Sequence, residues 1–143
     1  MKQLNVILLF HPDGRQMLMC RRQRDPYKGK YNGVGGHVDP GETPLEAAYR
    51  ELHEETGYTR SDVELHPVVT MLYHHTDIEL QCFAGQLTTA KEANGDENPL
   101  CWLPLSENYF DLNRFAGEGN IGHMLYEAAR MPQFSFLRSH LRL

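Results

Sequence analysis

The side chains best suited to do chemistry lie between Gly36 and Tyr58, in the stretch GHVDPGETPLEAAYRELHEETGY. Six acids fall there: Asp39, Glu42, Glu46, Glu51, Glu54 and Glu55. Glu51, Glu54 and Glu55 are spaced i, i+3, i+4, which on a helix gathers them on one face. Three like charges side by side repel one another unless a cation stands among them. A divalent ion that takes hard oxygen ligands is the natural candidate.

Those carboxylates need a helix to hold them, and the local sequence supplies one. Thr43 can cap it, Pro44 suits the first helical position, and Glu46 completes a T-x-x-E capping box. Gly57 can close the far end in a left-handed conformation. The spacing predicts a helix from about Pro44 to Thr56, with Leu45, Ala48, Tyr49, Leu52 and Thr56 clustered on the side that packs. Arg50 precedes Glu54 by four and can pair with it. A solvated acidic helix would need neither the Gly35-Gly36 pair nor Glu42 just ahead of the first turn.

The rest of the chain reads as strands around that helix. Leu4 to Phe10 is a buried strand, His11 to Gly14 a turn, and Gln16 to Arg22 a second strand. Tyr31 to Val38 reads as a glycine-broken strand running into the acidic stretch. Val63 to His75 and Asp77 to Thr88 are expected to pair through a turn. Leu100 to Leu103 is a short strand carrying Trp102, and Gly119 to Arg130 a second helix. The apolar-basic tail from Phe134 to Leu143 has no clear assignment. Strands, a helix, more strands and a helix imply an α/β fold with a mixed sheet.

At 143 residues the chain suits a single domain spanning 1–143. The net charge of −5 comes partly from the acidic helix, and no basic stripe suits duplex nucleic acid. The run Val6 to Phe10 is too short for a signal-peptide core or a membrane span. Three scattered cysteines, Cys20, Cys82 and Cys101, argue for reduced, buried thiols and a cytoplasmic location. His74-His75 point to opposite faces if on a strand, so a shared ion is not expected there. Trp102 and Phe83 read as core residues.

The acidic stretch resembles the box of the Nudix hydrolases, G-x5-E-x7-R-E-U-x-E-E-x-G-U. Gly36, Glu42, Arg50, Glu51, Leu52, Glu54, Glu55 and Gly57 match it at the required spacing. Tyr58 stands where an aliphatic residue is usual. The resemblance implies an α/β/α sandwich and hydrolysis of a nucleoside diphosphate linked to another group, with Mg²⁺ or Mn²⁺ as cofactor. It implies metal ligation by Glu54, Glu55 and the Gly35 carbonyl. Glu51 would be a further ligand or the general base. Arg50 would support catalysis by orienting a glutamate through a forked ion pair. Glu42 and Gly36 would lie on the substrate side. Family members are often homodimers.

Beyond the box, Gly95-Asp96-Glu97-Asn98-Pro99-Leu100-Cys101-Trp102 resembles the D-E-x-x-x-C-W run of oxidised-purine nucleotide hydrolases, which makes Glu97 a candidate further ligand. Lys30 to Val38 resembles the W-N-G-F-G-G-K-V segment of the 8-oxo-dGTP diphosphatases, with Tyr31 and His37 as departures. That puts Asn32, which has both a donor and an acceptor, in position to read a purine edge. Asp111 is the acid nearest to where that family carries its base-reading aspartates. The substrate so implied is a nucleoside triphosphate, cleaved to monophosphate and pyrophosphate. ADP-ribose, a nucleoside diphosphate sugar or a dinucleoside polyphosphate is the alternative. A non-catalytic nucleotide-binding domain is a third reading, although such domains usually lose box carboxylates and this chain has them all.

Overall fold

A computed structural model describes residues 1–95 and 98–141. The chain forms β1 (Lys2–Phe10), β2 (Gln16–Arg21), β3 (Tyr31–Asn32), α1 (Pro44–Thr56), β4 (His66–Tyr73), β5 (Ile78–Gln86), β6 (Leu100–Pro104) and α2 (Asn120–Ala129), then a 3₁₀ segment, Pro132–Ser139. The six strands make one mixed sheet. β1 runs parallel to β5 from Lys2 opposite Ile78 to Phe10 opposite Gln86, and every other strand pair is antiparallel.

β1 organises both cores. Its side chains alternate between the two faces of the sheet. Val6, Leu8 and Phe10 join Cys82, Ala84 and the apolar face of α2. Ile7 and Leu9 join Leu18, Phe83 and the α1 residues Ala48 and Leu52. A strand covered on both faces has to be apolar throughout, and Val6 to Phe10 are all buried. One polar residue interrupts β1 in its buried part: Asn5, only 4% exposed.

The expected strand from Tyr31 to Val38 is shorter as regular structure. After the two residues of β3 it continues only as single bridges, Val34 to Ile7 and His37 to Leu4. Gly33 leaves no room for a side chain, since a Cβ there would lie 2.8 Å from Val6 Cγ2. The segment still hydrogen-bonds along β1, through Ile7 N–H to Val34 O (2.7 Å) and Asn5 N–H to Gly36 O (2.7 Å). This carries Gly35-Gly36 to the edge of the sheet, beside α1.

The described part of the tail, through Leu141, folds back onto the α2 face. Phe134 and Leu137 are buried there, each worth about 1.5–3 kcal/mol if fully removed from water. Arg138 Nε donates to Ala129 O at 2.8 Å, satisfying a carbonyl at the end of α2. The α2 face thus has a double cover, completing the expected α/β/α layering. Among the described residues no helix is long and apolar enough to cross a membrane.

Candidate active site

Helix α1 carries the acidic face and is fixed at both ends. Thr43 Oγ1 accepts from Glu46 N–H at 3.2 Å, and Glu46 Oε1 accepts from Thr43 N–H at 3.4 Å. Gly57 takes φ 82° and donates its N–H to His53 O. Ala47, Ala48, Leu52 and Thr56 are buried, which turns Glu51, Glu54 and Glu55 toward the Gly35-Gly36 loop and solvent. Tyr58, the departure from the box, is buried, and its hydroxyl donates to Lys91 O at 2.7 Å.

Arg50 is the hub of the acidic cluster. Its Nε and Nη2 fork onto Glu42, at 2.7 Å to Oε2 and 2.9 Å to Oε1. Nη2 also donates to His37 O at 2.9 Å and lies 3.3 Å from Asp39 Oδ2. Nη1 reaches Glu51 Oε1 at 3.0 Å and the Glu54 carboxylate at 3.3 Å. The forked contact therefore falls on Glu42, ahead of the helix, and the i,i+4 contact with Glu54 is a longer one. Hydrogen bonds from Arg50 hold the Glu42 carboxyl below its usual range, and Glu42 in turn raises the guanidinium further. Four carboxylates against one guanidinium leave a formal surplus of three negative charges.

The glycine pair packs directly on this face. Gly35 N–H donates to Glu55 Oε2 at 3.1 Å, and Gly36 N–H donates to Asn5 Oδ1 at 2.9 Å. A Cβ on Gly36 would sit 2.4 Å from Glu51 Cδ, so only glycine leaves room for that carboxylate. Gly35 has φ 152°, and a Cβ there would lie 2.2 Å from Asn5 O. The fold thus brings Glu51 and Glu55 against the loop, while Glu54, 56% exposed at its side chain, touches Arg50 from the open side. Among the described residues no three His, Cys, Asp or Glu side chains stand close enough together to enclose an ion. Glu51 and Glu54 are turned to Arg50, and Glu55 to the Gly35 amide.

Of the other expected site residues, Glu97 lies outside the described residues, as does Asp96. Asn32 Oδ1 accepts from the next residue's N–H, Gly33, at 2.9 Å. His74 and His75 are exposed in the turn between β4 and β5. Asp111 takes the Asn113 N–H in a local turn. Glu118 reaches across the chain, its Oε1 accepting from Tyr27 Oη at 3.3 Å. Both residues have positive φ, 65° for Tyr27 and 58° for Glu118. Nearby, Asn120 Nδ2 donates to the Tyr73 hydroxyl. Asp39, one of the six acids of the stretch, has no role assigned by spacing, and Asn5 is a site residue that spacing does not reveal; the available signal for Asn5 is a lone amide in an apolar strand. Cys20 and Cys82 are buried, and burial pushes the Cys20 thiol up to about 12, far from a reactive range.

The NUDIX domain family profile matches residues 1–122. The chain belongs to the NUDIX domain family. Among curated NUDIX relatives, it is 47% identical over 58 residues to the oxidized purine nucleoside triphosphate hydrolase of Danio rerio, covering 41% of this chain and 36% of that one. It is 44% identical over 59 residues to an RNA pyrophosphohydrolase of Francisella tularensis subsp. mediasiatica, again 41% of this chain and 36% of the relative. The matched stretches therefore span about a third of these relatives' length. Solved structures show the same fold over nearly the whole chain. An Ap4A hydrolase of C. elegans superposes with a TM-score of 0.72 at 18% identity, covering 97% of this chain and 99% of that one. MutT from Aliivibrio salmonicida and Vibrio cholerae gives 0.69 at 18% identity, with 91% and 98% covered.

Proposed function

We propose that this NUDIX protein is a Mg²⁺-dependent pyrophosphohydrolase that cleaves a nucleoside triphosphate, including oxidised purine forms, into monophosphate and pyrophosphate. The observation that carries this reading is the seating of Gly35-Gly36 on Glu55 and Glu51, with Arg50 tying Glu51 to Glu42 and Glu54. The donor chemistry suits Mg²⁺ or Mn²⁺: hard carboxylate oxygens, a surplus of negative charge, and a glycine that leaves room for the Glu51 carboxylate; sharing one ion would require the glutamates to turn from Arg50 and the Gly35 amide. Glu54, Glu55 and Glu51 would hold the ion, with the Gly35 carbonyl and Glu97 as further ligands. Bound there, it would neutralise phosphate charge and acidify the attacking water.

The chain's own groups do the rest. Water attacks a phosphorus of the anhydride, and the bond to the leaving phosphate breaks with the electron pair going to that oxygen. Glu51, held by Arg50 beside the loop, is a ligand or takes the water's proton. Arg50 keeps Glu42, Glu51 and Glu54 from scattering under their mutual repulsion. Arg50→Lys cannot fork and is expected to lower turnover about tenfold to a hundredfold, as outer partners of metal ligands do. Steady-state kinetics on the folded variant reads this, and unchanged kcat would make the hub structural only.

Asn32 is the proposed base-reading residue. Its Oδ1 serves Gly33, and its Nδ2 is the group offered to a purine edge. Asn32→Ala should raise KM for 8-oxo-dGTP more than for dGTP or dCTP; equal rises on all three would remove Asn32 from base recognition. The function itself is tested by released products from canonical and oxidised nucleoside triphosphates, ADP-ribose, diadenosine polyphosphates and 5′-triphosphate RNA, with Mg²⁺ and with Mn²⁺. Pyrophosphate from triphosphates supports the reading. Cleavage confined to another member of the panel replaces the substrate, and no cleavage of any member refutes the enzyme.

A further inference from the structure

Two buried side-chain atoms have no hydrogen-bond partner among the described residues: Asn5 Nδ2 and Gln81 Oε1. One is a donor and the other an acceptor. Asn5 is 4% exposed and Gln81 9%. They are register partners on the parallel strands β1 and β5. Neighbouring strands lie about 4.7–4.9 Å apart, and paired residues point to the same face. That face is the one α1 covers, since Ile7 and Phe83, two residues further along each strand, pack with Ala48 and Leu52.

The orientation of each amide is set by its other partner. Gly36 N–H requires an acceptor, so Asn5 presents Oδ1 to it and is left with its NH₂. Glu79 Oε2 requires a donor, so Gln81 presents Nε2 at 3.0 Å and is left with its carbonyl. Gln3 Nε2 donates to the same Glu79 oxygen at 2.9 Å. The result is a row with one polarity: Gly36 to Asn5, Asn5 to Gln81, Gln81 to Glu79. Only its middle link has no direct bond, and its two ends are a donor and an acceptor on register partners, the complementary groups that a hydrogen bond, direct or through water, would join. A buried polar pair of this kind is costly unless joined, and it stands directly behind the turn that touches Glu51 and Glu55.

We propose that Asn5 and Gln81, anchored on Glu79, form a buried relay that holds the Gly35-Gly36 turn against Glu55 and Glu51, making them positioning residues for the cation site. The inference rests on the metal-dependent reading above, but on its ligand set alone and not on its substrate. Asn5 acts through the backbone: it receives the Gly36 N–H and its own N–H donates to Gly36 O at 2.7 Å. Gln81 acts through Asn5, by fixing its amide plane.

Mn²⁺ binding to the substrate-free protein, followed by the loss of the free-ion paramagnetic resonance signal, tests this, with thermal melts to certify folding. Asn5→Leu is expected to weaken Mn²⁺ binding about tenfold, and Gln81→Met roughly threefold, both well below their melting temperatures. Should Asn5→Leu fail to fold, Gln81→Met reads the same row from its other end. Folded variants that bind Mn²⁺ within about twofold of the parent would overturn the relay, since a purely structural role lowers only the melting temperature. A parent that binds no Mn²⁺ would overturn it too. A parent that binds Mn²⁺ but hydrolyses nothing would remove the proposed activity and leave the relay standing.

Discussion

Glu54→Gln is expected to leave the fold intact and lower turnover at least about a hundredfold, roughly 2.7 kcal/mol of transition-state stabilisation. Glu54 is the cleanest of the three box glutamates to change. Its side chain is 56% exposed, and it meets Arg50 Nη1 at 3.3 and 3.4 Å. An exposed ion pair of that length contributes at most about 1 kcal/mol to folding. Glutamine keeps the size and loses the charge a divalent ion requires. Glu51 is a poorer test, because its side chain is 14% exposed, bonded to Arg50 and pressed against Gly36, so a loss of activity there mixes chemistry with packing. The measurement is turnover and Mn²⁺ affinity beside a melting curve. A folded Glu54→Gln protein with near-parental turnover would sink the assignment of the acidic face as the catalytic site.

The helix was legible in the sequence because its signals are local. Thr43, Pro44, Glu46 and Gly57 act within a few residues of each end, and the bounds Pro44–Thr56 follow from them. The sheet was legible where an apolar run is long, as in β1. The tail was not, because its 3₁₀ geometry breaks at Phe134 and its apolar residues follow no regular period. Within the site, local pairing rules suggested Arg50 with Glu54. The stronger partner is Glu42, eight residues back, which the chain returns to Arg50 by the turn at Asp39 to Glu42. Asn5 reaches Gly36 across 31 residues, and Tyr27 reaches Glu118 across 91; no spacing rule links positions so far apart. What periodicity conveys is the face a residue belongs to. Which loop arrives at that face is decided by strand pairing.

Gly36→Ala should separate the position of Glu51 from the stability of the fold. Gly36 does not have a positive φ, so alanine's backbone conformation is unstrained there. Alanine also reduces the freedom of the unfolded chain, which favours folding by about 0.4–1 kcal/mol at compatible sites. The obstacle is the side chain of Glu51: the new Cβ would meet Cδ at 2.4 Å and the two carboxylate oxygens at 2.5 and 2.6 Å. Glu51 ends in a flexible carboxylate, so it can move away, and the move breaks its 3.0 Å bond to Arg50 and takes it off the loop. The expected result is a protein that melts within a few degrees of the parent and turns over about a hundredfold more slowly. Gly35→Ala is the matched contrast. There φ is 152° and the new Cβ would meet a backbone atom, Asn5 O, at 2.2 Å, which no side-chain rotation relieves. That variant should lose stability and activity together. If Gly36→Ala turns over like the parent, Glu51 works equally well away from the loop, and the seat between Gly36 and Arg50 is not what arms it.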